Sequence, residues 1–167
     1  MLPPLPQVPP NLRAAFVLLC AVFVLAPHAQ AAGRATALTQ SERALVGAVN
    51  GVRSGHGLRP LRVDAALTRA ARSYSATMIR TDVFSHGAMA ARLAAHGARG
   101  PAFGENLAWG VGRSASAASV VRSWMASPGH RANLLRAGWD RIGIGALTGS
   151  FQGYRGATVI TADFAGS

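Results

Sequence analysis

Four of the five histidines lie beyond the apolar N-terminal stretch: His56, His86, His96 and His130. Imidazole changes charge near neutral pH and can hold or pass a proton, so these are the first candidates for chemistry. His56 lies between Gly55 and Gly57, and His96 closes a polar helical stretch beside Gly97. Both are read as surface residues. His86 and His130 differ in setting. His86 follows Phe84-Ser85 at a helix exit, and His130 stands three places after Ser127, a predicted N-cap, in the compact segment Ser127-Pro128-Gly129-His130-Arg131-Ala132-Asn133-Leu134-Leu135. Between them, in Gly104-Glu105-Asn106-Leu107-Ala108, comes one of only six acidic residues in the chain. A buried carboxylate in that setting requires partners. Ser85 and Ser127 are the hydroxyls near these segments, and neither sits in a Gly-x-Ser-x-Gly elbow. As a chain neighbour of His86, Ser85 is expected to point away from it, and Ser127 is expected to be occupied capping its helix.

The elements that must position these groups are legible from spacing. Thr39-Gln40-Ser41-Glu42 reads as a capping box that starts a helix. Its apolar positions Leu45, Ala48, Val49 and Val52 recur at helical spacing, and Gly55 and Gly57 stop it. Asp64 is predicted to cap a second helix with the buried stripe Leu67, Ala71, Tyr74 and Met78, leaving Arg69, Arg72 and Arg80 on its water-facing side. A shorter helix is expected over Met89 to His96, and a turn-rich connection over Gly97 to Gly104. Val120, Val121 and Trp124 give helical spacing within Ala117 to Met125. Ser127-Pro128 then starts a further helix, because proline suits a first helical position. Ile142 to Gly145 and Thr158 to Phe164 read as strands joined by a glycine-rich turn around Gly149 to Gly156. Helices first and strands last predict an α+β domain rather than alternating βαβ units.

Composition narrows the function classes. The chain has 167 residues, half of them apolar and 14% charged, which excludes a wholly disordered chain. All 17 basic residues are arginine, and the net charge is +11. The arginines are spread along the chain with no dense run and few interleaved aromatics, so they read as a solvated surface, and nucleic acid is not an expected partner. Arg13 precedes an unbroken apolar run from Ala14 to Ala26, of the length of a signal-peptide core and too short to span a bilayer. Ala29-Gln30-Ala31 is a small-x-small cleavage site. Residues 1–31 are therefore read as a signal peptide with a proline-rich start, 32–37 as a short linker and 38–166 as the folded domain. Cleavage removes Cys20, the only cysteine, so neither a disulfide framework nor a multi-cysteine zinc site is available.

Several segments together resemble the CAP superfamily (cysteine-rich secretory proteins, antigen 5, pathogenesis-related 1; the SCP domain), in its short, cysteine-free bacterial form. They are Asn50-x-x-Arg53, Gly57-Leu58-x-Pro60-Leu61, Asp64-x-x-Leu67, Phe84-Ser85-His86, Gly104 to Ala108, Trp124 to Leu135 and Ile142 to Gly145, in that order. The resemblance implies a three-layer α-β-α sandwich with a small, mainly antiparallel central sheet. It also implies an exported protein, periplasmic or extracellular, and a cleft lined by His86, Glu105 and His130. A second glutamate of the animal and plant forms would fall near Ser127 and is absent.

Two imidazoles and one carboxylate are the ligand types of an open His₂Glu zinc site. No His-Glu-x-x-His spacing supports one locally. Any metal, such as zinc, is therefore expected to bind weakly at His86, Glu105 and His130, the more so because His130 would lie near the positive end of a helix dipole. The reading adopted is a binding module, with His86, Glu105, His130 and Ser127 in the cleft, for a lipid, a divalent metal or an anionic cell-envelope component. A monomer is expected. The alternatives are a peptidase-like hydrolase, with His86 or His130 as general base oriented by Glu105, and a purely structural extracellular domain.

Overall fold

The structure is a computed structural model that describes residues 37–166. The predicted signal peptide, its apolar core, Cys20 and most of the predicted linker lie outside the described residues. Helix α1 spans Gln40–Gly55 and opens on the predicted capping box: Thr39 Oγ1 accepts from Glu42 N at 3.2 Å, and Glu42 Oε2 accepts from Thr39 N at 2.8 Å. After the short strand β1 (Arg62–Val63), Asp64 caps α2 (Ala65–Thr81) by accepting from Ala66 N and Leu67 N. There follow α3 (Met89–Ala95), β2 (Phe103–Val111), a 3₁₀ turn (Gly112–Ala115), α4 (Ala117–Ala126), α5 (Pro128–Leu134), β3 (Trp139–Phe151) and β4 (Tyr154–Gly166).

The strands form one mixed sheet in the order β1-β3-β4-β2, with β1 parallel to β3 and the other pairings antiparallel. The β3–β4 turn is the two-residue Gln152-Gly153, both at positive φ (51° and 78°), the backbone that suits the twist of a tight hairpin. The strands thus run well into the segment expected to be a glycine-rich turn. Gln152 is held there by Asp82, which accepts from its backbone N–H at 2.6 Å.

Alternation along the central strands builds the layers. On one face Ile142, Ile144, Ile160, Ala162 and Phe164 pack with Leu45 and Val49 of α1, Val120, Val121 and Trp124 of α4, and Leu134 of α5. On the other face α2 lies with its backbone against the sheet. A Cβ at Gly143 would fall 2.1 Å from the Leu67 carbonyl carbon, and one at Gly145 would fall 2.4 Å from that of Ala71. Ser75 Oγ donates to Gly145 O at 3.1 Å across this contact. The observed layers are those of the expected α-β-α sandwich.

Two departures matter for the site. β2 was expected as a turn-rich connection followed by an unassigned stretch; it is a nine-residue strand at the sheet edge. Arg72 does not belong to a water-facing side: it reaches back to the buried Glu42 with contacts of 2.8 and 2.6 Å. That pair holds the Glu42 carboxyl below its ordinary range, against a burial cost that acts the other way.

Candidate functional site

β2 positions the acid. In register, Glu105 stands opposite Asp163 of β4, so both side chains point to the α2–α3 face of the sheet. Its neighbour Asn106 points the other way, toward α5. Asn106 Nδ2 donates to His130 O at 3.0 Å, and Asn133 Nδ2 donates to Asn106 Oδ1 at 2.9 Å and to Glu105 O at 3.0 Å. Trp124 Nε1 donates to Leu107 O at 2.9 Å. Side chains of α4 and α5 thus fasten onto carbonyls of the edge strand. Gly104 is required by close approach: a Cβ there would lie 2.8 Å from the Trp139 ring and 3.0 Å from Asn133 Oδ1.

His86 comes from the loop between α2 and α3. Its side chain is 60% exposed, and its Nδ1 lies 2.7 Å from Oε1 of Glu105, whose own side chain is 2% exposed. A carboxylate oxygen only accepts, so Nδ1 carries the proton and Nε2 is the acceptor of the neutral ring. Tyr74 of α2 fixes this loop: its hydroxyl donates to Ser85 O. Gly87, at φ 56°, is pressed so close that a Cβ would fall 2.5 Å from the Tyr74 oxygen.

The second oxygen of Glu105 is taken by a residue that the sequence reading did not single out. Arg92 of α3 donates from Nη2 to Glu105 Oε2 and, at 3.2 Å, to Asp163 Oδ1. Its guanidinium carbon sits 3.9 Å from the centre of the Tyr74 ring. Asp163 is completely buried, and burial together with the neighbouring Glu105 raises its carboxyl to about 7 despite the opposing Arg92 charge. Among the described residues Asp163 Oδ2 and Arg92 Nε and Nη1 are buried without hydrogen-bond partners. The signal that could have pointed here is Asp163 itself, an acid inside the otherwise uncharged strand segment Thr158–Phe164.

His130 is half-buried in the first turn of α5. Burial and the nearby His86 both lower its pKa, so its neutral form is favoured. Among the described residues no hydrogen bond joins it to Glu105. Ser127 is the N-cap residue of α5, but its side chain makes no cap hydrogen bond, contrary to expectation. It lines a cavity of about 360 Å³ with Phe84, Leu107, Ala108, Trp109, Ser114, Val120, Ser123, Trp124 and His130. His56 is exposed, with Nδ1 on Val52 O at 2.9 Å, and His96 caps the end of α3.

The donor set does not suit a divalent metal. Both oxygens of Glu105 are engaged, one by His86 and one by a guanidinium. Among the described residues no three His, Cys, Asp or Glu side chains are grouped to hold an ion.

The family model described as "CAP: Cysteine-rich secretory protein family" matches residues 46–164. The chain belongs to this family. Among curated relatives, the uncharacterized protein YkwD of Bacillus subtilis (strain 168) is 33% identical over 109 residues, which is 62% of this chain and 41% of that protein. The uncharacterized membrane protein YlbC of the same organism is 30% identical over 112 residues, 64% of this chain and 32% of that protein. The CAP-family chain thus spans less than half the length of either relative.

Solved structures share the fold. An extracellular SCP-domain protein from Bacillus anthracis str. Ames superposes with a TM-score of 0.64 at 24% identity, covering 78% of this chain and 45% of that one. An outer surface protein from Borrelia burgdorferi gives 0.66 at 19% identity, covering 77% and 95%. These neighbours are extracellular or surface proteins. Among the described residues of the CAP chain, no helix is long and apolar enough to cross a membrane.

Proposed function

We propose that this CAP-family chain is an exported binding module whose cleft, along the free edge of β2, takes a lipid-like amphiphile of the cell envelope. The observation that carries this reading is the cavity lining. Phe84, Leu107, Trp109, Val120 and Trp124 offer an apolar body, while Ser114, Ser123, Ser127 and the neutral-favouring His130 offer hydrogen bonds. Sites for small molecules are mostly apolar with a few placed polar groups, and this volume is within their range. Among the described residues no arginine or carboxylate lines the cavity, which favours an uncharged ligand end over a bare anion. The arginine-rich surface supplies a long-range attraction to an anionic envelope, an encounter that weakens as salt rises. The signal-peptide pattern of residues 1–31 supports export.

The test is a titration with 1-decanol followed by tryptophan fluorescence. Saturable quenching is expected in the wild type. Ser123 is exposed at the cavity, so Ser123→Trp should narrow the cavity without disturbing the core and abolish the saturable phase. Unchanged binding by that variant would refute the reading.

One observation favours a second reading, a His/Glu-dependent hydrolase. The 2.7 Å His86–Glu105 contact orients an imidazole as general-base catalysis of water attack requires. Such activity would vanish in both His86→Ala and Glu105→Gln.

A further inference from the structure

We propose that Arg92 is the resident cation of the His86–Glu105 site. Its guanidinium holds the place beside Glu105 that a divalent metal would need, so hydrogen bonds alone set the His86–Glu105 pair. His86 Nε2 is thereby kept as an acceptor for a hydroxyl- or amide-bearing ligand. This stands whatever fills the neighbouring cavity.

Three observations hold Arg92 in place. Its side chain is 10% exposed and bridges Glu105 and Asp163, so a single Nη2 serves two carboxyl groups. The guanidinium lies over the Tyr74 ring, whose hydroxyl in turn holds the backbone of the His86 loop. Next in sequence, Leu93 is fully buried against Leu67, Ala70 and Ala165, which prevents α3 from rolling Arg92 out toward solvent. A dication arriving at Glu105 would therefore meet a fixed positive charge a few ångströms away in a poorly solvated site, where like charges repel strongly. It would also have to strip His86 Nδ1 from Oε1. Arginine suits the resident role because the two N–H bonds of one terminal nitrogen, held in the guanidinium plane, reach two acceptors, and the group keeps its charge. By holding Oε2, Arg92 leaves Oε1 facing His86 Nδ1–H, which fixes the tautomer. Arg92 is thus a positioning residue acting through Glu105 on His86.

The test pairs zinc chloride calorimetry with long-range ¹H–¹⁵N NMR of the histidine rings, on the wild type, Arg92→Gln and His86→Ala. In the wild type, neutral His86 should show protonated Nδ1, with ring nitrogen shifts unmoved by zinc. Arg92→Gln should bind zinc at least about tenfold more tightly, a change of roughly 1.4 kcal/mol, and should show mixed His86 tautomers. A structural arginine would affect melting but neither of these readouts. One-to-one zinc binding by the wild type that shifts the His86 ring and is lost in His86→Ala would overturn the proposal. A folded Arg92→Gln with no gain in zinc affinity, or with an unchanged tautomer, would do the same. Should Arg92→Gln fail to fold, Arg92→Lys, which keeps charge but loses the fork, replaces it: mixed tautomers are expected, and a fixed one overturns the proposal.

Discussion

Two buried arginines lie at opposite ends of the division between scaffold and site. Arg53, fully buried in α1, meets only carbonyls: those of Arg59 at 3.0 Å, Leu134 at 2.8 Å, Arg136 at 3.1 Å and Trp139 at 3.4 Å. It ties α1 to the end of α5 and the start of β3 with no acidic partner among the described residues, and burial lowers its pKa. Among the described residues Arg92 has two carboxyl partners and two buried nitrogens with none. Native structures leave few buried polar groups unsatisfied, and the exceptions call for an explanation. The fully satisfied arginine builds the fold; the incompletely satisfied one, beside an exposed imidazole, belongs to the working cleft.

The largest effect should come from the scaffold side. Arg53→Ala orphans several buried carbonyls and should cost about 3–5 kcal/mol of unfolding free energy, the range seen when a buried charged partner is removed. Chemical denaturation measures it. The His86 tautomer should be unchanged in whatever fraction folds. A loss below about 1 kcal/mol would mean that the carbonyls find other donors and that the two arginines are not different in kind.

The next effect is a pH dependence confined to the site side. Folded Asp163 holds its proton up to about 7, whereas in the unfolded chain it releases it near 3.8. Between these values the folded state binds the extra proton, so the wild type loses stability as pH rises, by at most about 1.4 kcal/mol per pH unit. Asp163→Asn lacks this loss, so its stability relative to wild type should grow from about pH 4 to about pH 7 and then level off. Arg92, Glu105 and, beyond Glu105, His86 are the ionisable groups facing this carboxyl among the described residues. His130, whose pKa is lowered, acts in the opposite sense just below 6.5, and it does so equally in both proteins. A flat difference between the two curves would show that Asp163 ionises normally.

These two regions also differ in how far they can be read from sequence. The scaffold helices are legible because their caps and stripes are local: Thr39 with Glu42, Asp64 with Leu67, and the Leu45–Val49 spacing all act within a turn or two. The edge strand is not legible. In Phe103–Val111 both faces are covered, one by α2 and α3 and the other by α4 and α5, so the alternation that marks a half-exposed strand is missing. His86, Glu105 and His130 stand out by residue type and setting, and the first two do meet. Arg92 does not, because its role depends on Asp163, 71 positions away, and on the roll of a seven-residue helix. Arg72 fails for the same reason: its partner Glu42 is 30 positions away on another helix.

A smaller effect tests the junction of the two regions. Asn133 bridges α5 to Asn106 and to the Glu105 carbonyl, so Asn133→Ala should cost about 1–3 kcal/mol, the penalty for buried acceptors left unpaired. Because it holds β2 against α5 without touching the Glu105 carboxylate, it should leave the His86 tautomer in place. Thermal melting and ring-nitrogen NMR on one sample read both.

The smallest effect separates two residues that look alike in sequence, Thr39 and Ser127, both hydroxyl N-caps. Thr39 accepts a helix N–H, so Thr39→Ala should cost about 1 kcal/mol. Ser127 makes no cap hydrogen bond, and Pro128 already removes one N–H from the first turn of α5. Ser127→Ala should therefore change stability by less than about 0.5 kcal/mol, the scatter of neutral surface substitutions. Its cost should appear instead in the affinity for 1-decanol, since the hydroxyl lines the cavity. A stability loss matching that of Thr39→Ala, with affinity unchanged, would move Ser127 from the cleft to the scaffold.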